Sequence, residues 1–267
     1  MVRAQLVRFR SFLRKLVDRF YFPKRKYCCI CNKSIGTFFS YRGGKRAPLM
    51  VALDTIGSDV NNFGCPHCGC HDRERHLALY LTEMNLFDKF HNAAVLHFAP
   101  ERMLSELIEK RNPSKYIRGD LFPTSEEIEI IDILEIPYAA DTFDFVIANH
   151  VLEHVDDDLV ALSELRRVLK AGGYAILQTP FSPKLTKTFS DPGIEGSFAR
   201  YHAYGQDDHV RLYGNDIIDR IESAGFRSRV VSHDEKLGNF DPRRFGVNDK
   251  EPFFLFERID AGSTVLG

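Results

Sequence analysis

The fold turns on one stretch, IDILEIPYAADTFDFVIANHVLEHV, residues 131–155. Within it, Phe143–Asn149 holds Phe145, Val146, Ile147 and Ala148 in succession, with no polar alternation. Such a run is a strand covered on both faces, as in a parallel sheet. The next residues are acidic at 156–158 and end on Arg166, Arg167 and Lys170. That is the charge order a helix macrodipole favours. The sequence therefore predicts a strand at 143–149, a helix at 156–170 stopped by Gly172 and Gly173, and a strand at Tyr174–Gln178.

The same alternation continues outward in both directions. Ala93–Phe98 reads as a buried strand, followed by a helix over about 101–111 with Pro100 at its first turn. Lys115–Leu121 and Glu127–Ile131 supply the second and third strands. Beyond the centre, Asn215–Ala224 is a helix stopped by Gly225, and Phe226–Ser232 and Phe253–Glu257 are the last two strands. A helical pattern at 73–90 sets Leu77, Tyr80, Leu81, Met84 and Phe87 on one face. Residues 181–213 lack periodicity and form an insertion. The predicted class is α/β: a Rossmann-like, seven-stranded, mostly parallel sheet with helices on both faces. No internal repeat or low-complexity tract interrupts it.

Open sheets of this kind bind ligands beyond the carboxyl ends of their strands. The residues there are His97-Phe98-Ala99-Pro100-Glu101, Asp120, Asp132-Ile133, Asn149-His150 and Thr179-Pro180. Polar groups end most of these strands. A carboxylate accepts two hydrogen bonds and suits a diol or an exocyclic amine. The same aspartates also serve as ordinary cap or turn residues, and that reading stands beside the first.

Residues 131–155, together with LRRVLKAGGY at 165–174 and AGF at 224–226, resemble the central block of class I S-adenosylmethionine-dependent methyltransferases. The resemblance covers about residues 73–260. It implies that Asp132 contacts the adenine amino group and Asp120 the ribose hydroxyls of S-adenosylmethionine. It further implies that His97, Ala99, Glu101, Ile133, Asn149 and His150 line the cofactor site. One motif departs from the pattern: HFAPERM, residues 97–103, stands where the family carries a Gly-x-Gly-x-Gly loop. There Glu101 is expected to accept from the methionyl ammonium. A loop of this kind also resembles that of a bacterial methyltransferase subfamily of glycan gene clusters, which also carries a cysteine module and implies a role in polysaccharide biosynthesis.

Methyl transfer asks the protein for alignment and, with a hydroxyl acceptor, for a base, most often histidine. His150 and His154 stand four apart and are expected on one helix face, as packing and capping residues or as a metal pair. The insertion adds His202 and His209. Its segment YGQDDHVRLYG, residues 204–214, gathers polar and aromatic groups where this fold carries its acceptor loop. Asp208 is expected to orient the His209 ring and raise its basicity. The catalytic candidates are therefore His209, His150 and Asp208.

The six cysteines fall at 28, 29, 31, 65, 68 and 70. Cys28 with Cys31 and Cys65 with Cys68 form two Cys-x-x-Cys pairs separated by 33 residues. Two such knuckles close a tetrahedral Zn²⁺ site with no open position, so its predicted role is structural. Cys29 and Cys70 are then spare. Elsewhere among methyltransferases, cysteine modules hold either RNA or a sugar acceptor.

The chain has 267 residues, 36 Lys+Arg and 37 Asp+Glu, but the charge is unevenly spread. Residues 1–27 carry nine basic side chains and one acid, making them +8 and the remainder −9. An acidic body argues against wrapping nucleic acid, although Arg42, Lys45 and Arg46 keep an RNA reading open. The expected division is a basic amphipathic helix at 1–26, a zinc module at 27–72 and a methyltransferase domain at 73–267 with its acceptor insertion at 181–213. In residues 5–21, Leu6, Phe9, Leu13, Leu16, Val17 and Phe20 form an apolar stripe opposite arginines. Such a stripe lies on an anionic membrane, docks on a partner, or covers the body. Residues 1–22 lack the apolar core and small-residue cleavage site of a secretory signal, so the cytoplasm is expected, extending to the inner membrane face. Three functions follow: methyl transfer to a hydroxyl of a small molecule or glycan, RNA methylation through the cysteine module, or an inactive cofactor-binding scaffold.

Overall fold

The computed structural model describes residues 25–41 and 46–259. The basic helix expected at 5–21 lies outside the described residues, as do Arg42 and Lys45. Among the described residues, no helix is long and apolar enough to cross a membrane.

A hairpin of β1 (Lys26–Cys28) and β2 (Lys33–Ile35) opens the cysteine region. The main sheet comprises β3 (Ala94–Phe98), β4 (Lys115–Asp120), β5 (Glu129–Ile130), β6 (Phe143–Ala148), β7 (Leu169–Ile176), β8 (Phe226–Ser228) and β9 (Leu255–Arg258). Their order is β5-β4-β3-β6-β7-β9-β8, with β9 antiparallel to both its neighbours and every other pairing parallel. The expected seven-stranded, mostly parallel Rossmann-like sheet is what forms. The order reverses between β3 and β6, which places the ligand crevice at the ends of those two strands.

Period-two alternation divides the strands between two cores. Val95, Phe145, Ile147, Ile176 and Leu255 enter one cluster, which continues without a break into Cys28, Ile35, Phe38, Cys65 and Cys70. Leu96, Phe98, Val146, Ala148 and Leu177 enter the other, under helices Asp158–Val168 and Ile217–Ser223. The cysteine region and one face of the sheet thus share a single apolar core.

Several boundaries differ from the sequence reading, each for a local reason. The helix expected at 73–90 is two, Asp72–Glu83 and Leu86–Lys89, parted at Asn85 in the left-handed region (φ 55°). The first of these is buried on every side from Glu74 to Leu81, not on one face. Helix Arg102–Glu109 begins after Pro100, with Glu101 at its cap. Helix Asp158–Val168 is capped by the Asp157 side chain, which accepts from the Leu159 and Val160 amides at 3.1 Å each. It runs straight into β7, so Gly172 and Gly173 kink a strand and do not stop a helix. A side chain at Gly173 would meet the Asp144 carbonyl at 2.9 Å. The insertion also holds a helix, Ser197–Tyr204, whose Tyr204 packs with Leu212 on Ala47 and on Met50 of helix Pro48–Ala52.

Arg75 fastens the cysteine region to the rest. It is fully buried, and its guanidinium donates to carbonyls of Phe63 (3.3 Å), Cys70 (3.2 Å), Phe245 (2.9 Å), Gly246 (2.7 Å) and Asn62. Its plane also lies 3.8 Å from the Phe38 ring centroid. Replacing Arg75 by Met strands these carbonyls. The expected loss is about 3–5 kcal/mol of unfolding free energy in a urea titration. Arg75→Lys should recover only a minor part, because one ammonium cannot reproduce the planar fork.

Candidate active site

The carboxyl ends of β3 and β6 each carry a non-glycine residue in the left-handed region, Ala99 (φ 45°) and His150 (φ 54°). Strain of this sort costs of order 1 kcal/mol per residue and concentrates at functional sites. Ala99 takes a glycine-like turn without glycine, and its amide donates to the Gly119 carbonyl at 2.9 Å. The following helix N-terminus is closed from outside the loop. Glu74, on the buried helix, accepts from the Met103 and Leu104 amides at 2.9 and 3.3 Å and from the His71 amide at 2.7 Å.

His97 is wholly buried at the end of β3, and both its nitrogens are engaged, by Tyr116 Oη at 2.8 Å and by Glu101 Oε2 at 3.0 Å. It therefore positions Glu101 and presents nothing to the crevice. Glu101 retains 12% side-chain exposure. Burial pushes its carboxyl up, but the hydrogen bond and charge of His97, with Arg73 nearby, hold it below the ordinary value. Asp120 and Asp132 each accept a turn bond through Oδ1, from Phe122 N at 2.8 Å and Leu134 N at 2.9 Å. Both are turn residues, and Oδ2 of each remains available at the sheet edge. Ile133 is drawn into the core beside Ile131 and Ile136.

At the end of β6, Asn149 is 5% exposed, and neither its Oδ1 nor its Nδ2 has a partner. His150 Nδ1 bonds Glu153 Oε1 at 3.1 Å, while its buried Nε2 is unpartnered and lies 3.8 Å from Glu251 Oε1. Glu153 is fully buried, and its other oxygen accepts from Thr179 Oγ1 at 3.0 Å. Burial would raise the Glu153 carboxyl, but the His150 hydrogen bond and the nearby imidazoles outweigh it and hold the group at about 2. The expectation that His150 and His154 share a helix face fails. His150 precedes a single 3₁₀ turn, Leu152–His154, so four-residue spacing no longer implies one face.

Asp208 does not serve His209. Its carboxylate lies 3.3 Å from His154 Nδ1, and the insertion turns His209 inward instead. There His209 is 2% exposed, Nδ1 meets the Tyr204 carbonyl at 3.1 Å and Nε2 has no partner. Burial lowers its pKa, so it is not the strengthened base expected from sequence. Arg211 fixes this geometry by donating to the carbonyls of Leu152 (2.7 Å), Asp156 (2.9 Å) and Val155.

These groups border a cavity of about 360 Å³ lined by Arg73, His150, Pro180, Tyr204 and His209, with Phe63 of the cysteine region as another wall. A small recess extends it past Arg73 and His150 to Asn149, His76 and Glu251. A larger groove of about 540 Å³, between Arg46, Asp54, Pro242 and Lys250, contains no strand-end residue and is set aside on that ground. Arg73, Glu153 and Glu251 escaped the sequence reading, whereas Thr179 stood among its strand-end residues. Only the run of charge in DRERH at 72–76 hinted at the first.

The cysteines converge as their spacing predicts. Sγ atoms of Cys28, Cys31, Cys65 and Cys68 lie within 4.8 Å of one another, with Cys28–Cys68 at 3.7 Å and Cys31–Cys65 at 4.0 Å. Thiolates at 2.3 Å around a tetrahedral ion stand about 3.8 Å apart. Cys70 lies 3.5 Å from Cys28 and accepts from Arg75, and Cys29 is turned to the Arg75 carbonyl. The donor set suits a soft divalent cation.

Residues 101–177 match a family model described as methyltransferase domain. The chain is 33% identical over 107 residues to an uncharacterized 37.1 kDa protein in transposon TN4556 of Streptomyces fradiae, covering 39% of this chain and 30% of that one. It is 38% identical over 61 residues to demethylmenaquinone methyltransferase of Bacillus velezensis, covering 22% and 26%. The chain thus spans under a third of the length of these relatives. Among solved structures, an S-adenosylmethionine dependent methyltransferase from Mesorhizobium loti aligns with a TM-score of 0.45 at 13% identity, over 66% of this chain and 96% of that one. The 1,6-didemethyltoxoflavin-N1-methyltransferase of Burkholderia thailandensis aligns at 0.39 and 13%, over 70% and 83%.

Asp72, at the start of the buried helix, offers a check on this charge arrangement. Burial, with the charge of Glu251 adding to it, raises its carboxyl to about 7. A raised acid pKa stabilises nothing above it: the folded chain loses stability as pH climbs from about 4 through about 7. Asp72→Asn removes that loss. Its advantage over the native chain in urea unfolding should widen by on the order of 2 kcal/mol between pH 5 and pH 8. A difference independent of pH would reject the assignment.

Proposed function

We propose that the chain transfers a methyl group from S-adenosylmethionine to a hydroxyl of a small-molecule or glycan acceptor, with His150 as the proton acceptor. The observation that carries this reading is the cluster of unpartnered buried polar atoms where β3 and β6 diverge, inside a chain whose residues 101–177 match a methyltransferase domain. Asn149 Oδ1 and Nδ2, His150 Nε2, Arg73 Nε and Glu251 Oε1 all lack partners there. Native proteins rarely leave such groups unmet, so the site asks for a polar ligand. A zwitterionic amino-acid end fits: Glu251 and Asn149 meet an ammonium, and Arg73 meets a carboxylate. At the sheet edge, the free oxygens of Asp120 and Asp132 suit a ribose diol and an adenine amine.

S-adenosylmethionine, when bound, supplies a methyl group already activated by its sulfonium. The protein's work is then alignment and removal of one proton. His150 lines the cavity, and Glu153 holds the ring through Nδ1, which leaves the buried Nε2 as the acceptor. Thr179 fixes the carboxylate in turn. A cavity of about 360 Å³ has the scale of sites for small ligands. Its enclosure by the insertion and the cysteine region favours such an acceptor over a nucleic-acid strand. In this reading Cys28, Cys31, Cys65 and Cys68 hold a structural Zn²⁺ that shapes the wall carrying Phe63 and His71.

Titration calorimetry of the zinc-loaded chain with S-adenosylhomocysteine should show one saturable site, weakened at least tenfold by Asp132→Ala. Absence of binding to the native chain would end the methyltransferase reading. His150→Gln should keep that affinity within about threefold yet lose some 10²–10⁴-fold in methyl transfer to whichever acceptor the native chain accepts. One thiolate-bound zinc per chain should be released by a thiol-modifying reagent, with loss of near-ultraviolet circular dichroism. Zinc content unchanged in Cys65→Ser would refute the four-thiolate site.

A further inference from the structure

A second group of metal-ligating side chains lies beside the cavity, and of its members only Glu153 has a role above, holding the His150 ring. One ring nitrogen each of His154 and His209 and a carboxylate oxygen of Glu153 lie within 4.8 Å of one another. Glu153 is fully buried and His209 is 2% exposed. Their convergence is built in. The Val210 amide donates to the Glu153 carbonyl at 2.9 Å, and Arg211 binds the carbonyls on either side of the 3₁₀ turn. These bonds carry the insertion strand onto the turn, and the His154 and His209 rings meet edge to face at 4.6 Å.

We infer that Glu153, His154 and His209 form a second, mononuclear site for a divalent transition-metal ion, separate from the four cysteines. Three features point to a ligand and not to a closed hydrogen-bond network. His209 Nε2 is buried and has no partner, while its Nδ1 is held by the Tyr204 carbonyl. His154 Nδ1 lies 3.3 Å from the Asp208 carboxylate, which leaves Nε2 as its donor atom. Metal-bound histidines characteristically have the second nitrogen tied to a carboxylate or a backbone carbonyl, and here each ring has one of the two. Glu153, in turn, is oriented by His150 and Thr179.

Two imidazoles and one carboxylate form a donor set for Zn²⁺, Mn²⁺, Fe²⁺ or Co²⁺, unlike the thiolate set at the cysteines. Atoms spaced by 4.8 Å lie on a circle of radius about 2.8 Å, so closing to bonds of 2.0–2.2 Å moves each by less than about 1 Å. Three protein ligands leave coordination positions open, and His209 borders the cavity. The exogenous ligand the site would take is an oxygen donor, such as a hydroxyl or diol of a molecule in that cavity. The metal site stands or falls independently of methyl transfer.

The test titrates Co²⁺ into full-length chain whose cysteine site is already filled with Zn²⁺, following visible absorption and calorimetric heat. Expected is one further equivalent per chain, with ligand-field bands and without the thiolate charge-transfer absorption that cobalt in the cysteine site would give. His154→Ala, at a partly exposed position, and Asp208→Asn should weaken Co²⁺ by at least tenfold and about threefold respectively, with zinc content and far-ultraviolet circular dichroism unchanged. His209→Ala is the buried counterpart and should match His154→Ala. The inference is overturned by no saturable second equivalent, by thiolate charge transfer accounting for all bound cobalt, or by folded His154→Ala binding cobalt as the native chain does.

Discussion

The structure depends on one cation held out of water. Arg75 is fully buried, and its acceptors are carbonyls and the Cys70 sulfur, not a carboxylate. A guanidinium in that setting is tolerated only if its donors are met and negative charge stands nearby. In the proposed zinc-bound form the cysteine cluster would supply that charge: four thiolates around a divalent ion carry a net −2, of which Arg75 would offset half. In return, the planar fork joins residues from the cysteine region, the buried helix and the segment around Phe245. The two sites are therefore mechanically linked, because the wall that Arg75 secures is the wall of the cavity.

That wall explains why a short helix and a loop without periodicity can enclose a ligand. Helix Ser197–Tyr204 buries only Tyr204, which it seats on Met50 of the cysteine region. Gly205 (φ 95°) ends it where any side chain would strike Met50 Cγ at 2.9 Å. Beneath the helix and loop, the backbone at Ala99 and His150 is held in unfavourable torsions, and the strongly hydrogen-bonded sheet between β3 and β6 keeps it there.

The sheet was legible in the sequence because buried parallel strands announce themselves by continuous apolar runs, as in Phe143–Ala148. The cysteine cluster was legible because a thiolate quartet needs two close pairs. The rest of the site was not, and the reasons are physical. Arg75 and Phe245 are 170 residues apart, and no local pattern marks a cation bonded to remote carbonyls. Asp208 stands beside His209 in sequence but pairs with His154, because the bends at 205–208 leave Asp208 exposed while His209 is buried against the Tyr204 carbonyl. His150 and His154 satisfied a helical spacing in a place that never becomes an α-helix. No local pattern marks Arg73, Glu74, Glu153 or Glu251 as site residues, yet the three glutamates are buried, each meeting a partner far along the chain.

The glycine-free loop after β3 then has a consistent physical reading. A glycine-rich loop leaves the first amides of the next helix open to a ligand's negative charge. Here Glu74 already occupies two of those amides, and a second carboxylate beside it would be repelled. In the proposed reading an anionic ligand group is met elsewhere, and Arg73, one residue before Glu74 on the same helix, lines the cavity and its recess. The buried helix thus caps the loop with one side chain and offers a positive charge with its neighbour. In the proposed reading a side chain does the anion-binding work that a glycine-rich loop leaves to backbone amides, and the crevice suits a zwitterion.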